Sequence, residues 1–163
     1  MINEFKEILW KQFGASIDML ENAVNDCPEK LWDTDSNFWY IAYHTIFFLD
    51  YYLSYEPDKF QPPAPFTLSE FDPSGEMPER TYSKEELITY IGHCRKKCHD
   101  LIADFTEENA AKRFINEQRN YSMIEISLYN MRHVQHHAAQ LNLLLRQNSN
   151  NAPDWVSRTK DSL

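Results

Sequence analysis

The stretch FWYIAYHTIFFLDYYLSY, residues 38–55, is apolar almost all round. A helix with that pattern has neighbours on every side, so the stretch predicts a central, deeply buried helix over residues 36–55, capped by Asp35 or Ser36. Three further segments can surround it. Residues 3–25 hold Phe5, Ile8, Leu9, Gln12, Phe13, Ser16, Ile17 and Leu20 at three-four spacing, which turns one stripe inward. Pro28 follows, where it can open a short turn through Leu31 and Trp32. A third helix opens at Ser83 with a capping box, Ser83 to Glu86. Its inner stripe is Leu87, Tyr90, Ile91, Cys94, Cys98, Leu101, Ile102 and Phe105. The fourth covers residues 122–147 and opens with a second box, Ser122 to Glu125.

The segments between helices differ in kind. Residues 56–82 contain six of the eight prolines, a long connection of the sort that often covers a functional site. It leaves the end of the helix that carries His44, so we expect it beside the mouth of any pocket there. Residues 106–120 are a polar connection. Residues 148–163 are a polar tail apart from Pro153, Trp155 and Val156. The expected fold is all-α: a four-helix bundle with a long proline-rich connection between helices two and three, residues 1–163 forming one domain.

Composition agrees. The 163 residues are 42% hydrophobic and 14% aromatic with only three glycines, which supports a filled core built from long helices. A formal net charge of -9 repels phosphate backbones and anionic lipid, and no basic stripe overrides it, so a nucleic-acid partner is not expected. No apolar run approaches the ~20 residues of a membrane span. The opening MINEFKEILWKQF lacks the apolar core of a signal peptide, and a cytoplasmic location is expected. Three cysteines do not suggest a disulfide framework.

Six histidines are present, and helical projection separates them. At about 100° per residue, His133 lies about 40° from His137, whereas His136 is turned about 100° away. Ile126, Val134, Leu141 and Leu144 fall within roughly 60° of His137, so His133 and His137 share the inner stripe and His136 lies at its margin. In the second helix, Tyr40, Ile41, Phe47, Phe48 and Tyr51 surround His44 in the same way. One imidazole on an apolar face is more often a hydrogen-bonded core residue than a ligand. A second helix offering an inward His-x-x-x-His pair alters that balance, because one shared ion satisfies three buried imidazoles together. His44, His133 and His137 are therefore the expected ligands of one divalent metal, with His136 excluded. Three neutral imidazoles suit Zn²⁺ first, Ni²⁺ or Fe²⁺ next, and leave a coordination position open. Cys94 and Cys98 continue a core stripe and are expected to be buried thiols; His93 and His99 turn away from it. Asn130 and Gln140, near the His137 face, are candidates to orient an imidazole or a ligand.

WYIAYHTIFFLDYYL around His44 and MRHVQHHAAQLNLLL around His133 and His137 resemble the DinB-like superfamily, which includes the YfiT-type metal-dependent hydrolases and the bacillithiol and mycothiol S-transferases. The likeness covers most of the chain in layout and is specific in these two stretches, the second closing with Gln140. Where the family frequently has arginine-glycine after the last histidine, this chain has Ala138-Ala139. The resemblance implies a crossed four-helix bundle with zinc or nickel, often a homodimer, acting on a small-molecule substrate such as a low-molecular-weight thiol. Two functional classes follow: a metal-dependent S-transferase or hydrolase, or a non-enzymatic metal or small-molecule binding module.

Overall fold

A computed structural model describes residues 1–163. The chain is mostly helical, with six helices and one small two-stranded ribbon: α1 Ile2–Asp26, α2 Glu29–Trp32, α3 Phe38–Tyr52, α4 Lys84–Ala103, α5 Glu107–Ala111, β1 Arg113–Ile115, β2 Asn120–Ser122 and α6 Met123–Ser149. Four of the helices are long. α1 packs on α4 and α6, and α3 packs on the same two from the other side. A continuous core of 40 buried residues runs between them. No helix is long and apolar enough to cross a membrane.

The helix starts show which local signals operate. At Ser83 the capping box is complete: Ser83 Oγ accepts from the Glu86 amide, and Glu86 Oε2 accepts from the Ser83 amide at 2.8 Å. At Ser122 only half forms. Ser122 Oγ accepts from the Glu125 amide at 3.2 Å, but Ser122 is also the last residue of β2, and no return bond from Glu125 is made. α3 departs further from expectation. Its N-cap is Asn37, in the left-handed region at φ 56°, rather than Asp35 or Ser36, and the helix stops at Tyr52 instead of Tyr55. Asparagine accepts that backbone region at low cost, which lets the chain turn sharply out of α2.

α1 also corrects its expected stripe. Ile8 is 55% exposed and Gln12 is exposed, whereas residues 13–17 are all buried. The cause is the C-terminal tail, which lies along α1. The Thr159 amide donates to the Lys11 carbonyl at 3.0 Å, the Trp10 indole donates to the Asp161 carbonyl, and Gln12 Nε2 donates to the Ser157 carbonyl. A Cβ on Gly14 would lie 2.6 Å from Thr159 Cγ2, so the tail seats where α1 has no side chain.

The connection between α3 and α4 lies along α3, with Phe60 against Tyr51, Phe71 against Phe47, Glu70 at His44 and Phe66 on Tyr43. Short 3₁₀ turns form at Pro57–Lys59 and Ser69–Phe71, and Phe60 and Phe66 are buried. The connection between α4 and α6 is more ordered than its polar sequence suggests. It holds α5, capped by Thr106, and the ribbon, whose Phe114 is fully buried and pairs with Tyr121.

Candidate metal centre

α3 and α6 pack face to face and bring three imidazoles together. Ring centroids are 5.5 Å apart for His44 and His133, 5.0 Å for His44 and His137, and 4.5 Å for His133 and His137. One nitrogen from each ring can be chosen so that all lie within 4.8 Å of one another, an arrangement that could hold a metal ion.

Two of the rings are held by acceptors. His44 Nδ1 lies 2.6 Å from Glu70 Oε2, and His137 Nδ1 lies 2.6 Å from Gln140 Oε1. A carboxylate and an amide oxygen accept here, so each Nδ1 carries a proton, and in the neutral ring each Nε2 is then free to bind an ion. The third ring is incomplete. His133 Nδ1 is buried without a hydrogen-bond partner. Burial, then the neighbouring histidines, push His133 down to about 3, and burial likewise lowers His137. Both imidazoles are neutral near pH 7 and present lone pairs rather than charges. The donor set therefore fits a divalent ion: three imidazole nitrogens, acceptors behind two of the rings, and one buried nitrogen with nothing to bind.

Glu70 was not singled out from the sequence. Its side chain is 3% exposed, and its second oxygen, Oε1, is buried and unpartnered. The Tyr40 phenol lies beside it and is pushed up to about 12, first by its own burial and then by the Glu70 charge. Glu70 stands in an aperiodic loop, where no spacing argument applies. The only sequence signal was that its connection leaves the His44 helix. The expectation that this connection flanks the pocket does agree with the structure, since Pro57, Phe60, Glu70 and Phe71 line it.

The histidines open into a cleft of about 790 Å³. Phe48, Tyr52 and Phe71 give it an apolar wall, and Asn116 and Arg119 from the β1–β2 turn also line it. His44 is 31% exposed, so the site is reachable from this cleft.

Other sequence candidates separate cleanly. His136 is exposed and outside the three-nitrogen group. Cys94 and Cys98 are buried in the core, and burial raises both thiols. His99 packs edge-on against Trp10, and His93 lies by Asp50. Gln140 orients an imidazole, as expected. Asn130 does not: it is fully buried and donates from Nδ2 to the Leu49 carbonyl at 2.9 Å, tying α6 to α3. Projection placed Asn130 on the correct face of α6 but could not say which neighbour that face meets.

A family model, the DinB superfamily, matches residues 12–141. No curated protein and no solved structure matches the chain. The matched span contains all three histidines, Glu70 and Arg119, and covers most of the sequence: the chain belongs to the DinB superfamily.

Proposed function

We propose that the protein is a four-helix-bundle metalloprotein in which His44, His133 and His137 hold one divalent ion, zinc first and nickel or iron next. The observation that carries this reading is the convergence of three imidazoles from two helices, two of them oriented by Glu70 and Gln140 and the third with a buried, unpartnered nitrogen. When bound, such an ion supplies Lewis acidity and lowers the pKa of water or a thiol at its open position. The chain's own residues do the rest. Glu70 fixes the tautomer and ring direction of His44, and Gln140 does the same for His137. Phe48, Tyr52 and Phe71 keep bulk water from one side of the cleft.

The cleft suits a small molecule, and S-transfer from a low-molecular-weight thiol, or hydrolysis, is the enzymatic reading. One observation favours the alternative of a binding module. Glu70, the buried carboxylate nearest the histidines, is already engaged with His44, and the other carboxylates of the cleft lining, Asp58, Asp72 and Glu117, are exposed. The test is to strip the protein with chelator, reload it with Zn²⁺, Ni²⁺ or Fe²⁺, and measure stoichiometry by elemental analysis. Thiol transfer and ester hydrolysis are then assayed on each form. One metal per chain with turnover supports the enzyme, and one metal without turnover supports the binding module. Absence of stoichiometric metal refutes the metal reading itself. The homodimer stays a proposal drawn from the family resemblance, to be tested by light scattering.

A further inference from the structure

The β1–β2 turn that rims the cleft carries its only lysine or arginine, Arg119. The turn is built to hold it still. Asn116 Oδ1 accepts from the amides of Gln118 and Arg119 at 3.0 and 2.8 Å, and Asn116 Nδ2 donates to the Tyr51 hydroxyl at 3.1 Å. The guanidinium then lies over two rings, with Cζ 4.9 Å from the Tyr129 centroid and 5.4 Å from that of Tyr52. It donates to the Tyr129 hydroxyl at 2.9 Å and to Gln118 Oε1 at 3.1 Å.

All of these partners are neutral. No carboxylate oxygen lies within 4.0 Å of Arg119. Yet the chain has 25 acidic residues against 16 basic ones, and Asp58, Asp72 and Glu117 line the same cleft. The aromatic clamp keeps the guanidinium away from them with several N–H donors unused. The Tyr52 ring spans the space between this charge and the metal site, 6.0 Å from the ring of His133.

We infer that Arg119 anchors a carboxylate on the small molecule whose reacting end meets the three histidines. This rests on the cleft reading above and narrows it. A guanidinium fork matches a carboxylate with two parallel hydrogen bonds, and the Phe48, Tyr52 and Phe71 wall between the two ends suits an apolar spacer. The substrate class is thus an acid whose carboxylate stands several bonds from its thiol or electrophilic centre.

The test uses two probes of equal length, mercaptohexanoate and mercaptohexanol, titrated calorimetrically. The proteins are wild type, Arg119→Gln and Arg119→Lys, each zinc-loaded and chelator-stripped. Wild type is expected to bind the acid about tenfold more tightly than the alcohol in both metal states, the scale of one charged hydrogen-bonded pair. Arg119→Gln loses that preference while binding the alcohol as before, and Arg119→Lys keeps part of it. No preference in wild type, a preference that survives Arg119→Gln, or equal loss of both probes in that variant would each overturn the inference. Should zinc fail to load, the metal reading falls, and the stripped-protein comparison still decides the role of Arg119.

Discussion

Two side chains of α3, Asp50 and His44, meet two different neighbours, and their surroundings are opposite. Asp50, 1% exposed, faces α4 and is fully satisfied: Tyr90 donates to Oδ2 at 2.9 Å, and Lys97 Nζ donates to Oδ1 at 2.6 Å and to the Asp50 carbonyl. His44 faces α6 and the cleft, where polar valences are left over. Glu70 Oε1 and His133 Nδ1 are both buried without partners. A buried polar group left unpaired costs roughly 1–3 kcal/mol, so a cluster with two such atoms is stable only if something outside the chain completes it or the fold tolerates the cost. The Asp50 cluster is complete and therefore structural. The His44 cluster is incomplete, and three of its imidazoles could hold an ion that completes it.

The largest effect that could break this contrast is on the structural side. Asp50→Ala removes the carboxylate to which Tyr90 and Lys97 donate between α3 and α4, leaving the Tyr90 hydroxyl unpaired and Lys97 only the residue-50 carbonyl and Ser54 Oγ. We expect a loss of about 3 kcal/mol in urea unfolding, at the low end for a broken buried pair because Lys97 keeps some contact with water. Metal stoichiometry should be unchanged. Loss of metal with unaltered stability would mean that the roles of the two clusters are reversed.

Glu70→Ala comes next and acts on the other cluster. It frees His44 to change tautomer and rotate, so metal affinity should fall about 10- to 100-fold in competition with a chromophoric chelator. Thermal stability of the stripped protein should change little. Glu70→Gln retains an oxygen that can accept from His44 Nδ1 and should recover most of the affinity. A Gln variant as weak as the Ala variant would show that the carboxylate charge, not ring orientation, is what matters.

The smallest effects sharpen the boundaries of each cluster. His93 stands 3.9 Å from Asp50 with its side chain half-exposed, outside hydrogen-bond range. His93→Ala should shift stability by less than about 0.5 kcal/mol. His136→Ala should likewise leave metal binding intact, although His136 packs edge-on beside His137.

Much of this was legible in the sequence, for physical reasons that also mark where legibility stopped. Helical periodicity assigned His133 and His137 to one face and His136 to another, because 100° per residue is a local property. The Ser83 capping box is likewise local. Glu70, Arg119 and the Thr159 contact on Gly14 lie in segments with no period, and their positions depend on which distant surface the chain meets. Asn130 shows the middle case: its direction followed from the helix, but its partner, the Leu49 carbonyl, followed from packing. Gln12 belongs to the three-four stripe of α1 yet is exposed, because the tail and two helices set the inward face of α1 and its own stripe does not.

The central claim is that His44, His133 and His137 together form the ligand set, and elemental analysis of four purified proteins tests it most directly. Wild type and His136→Ala should each carry one divalent ion per chain. His44→Ala and His133→Ala should carry almost none while keeping their helical circular dichroism. Full occupancy in both of those variants, or loss of metal from His136→Ala alone, would contradict the account.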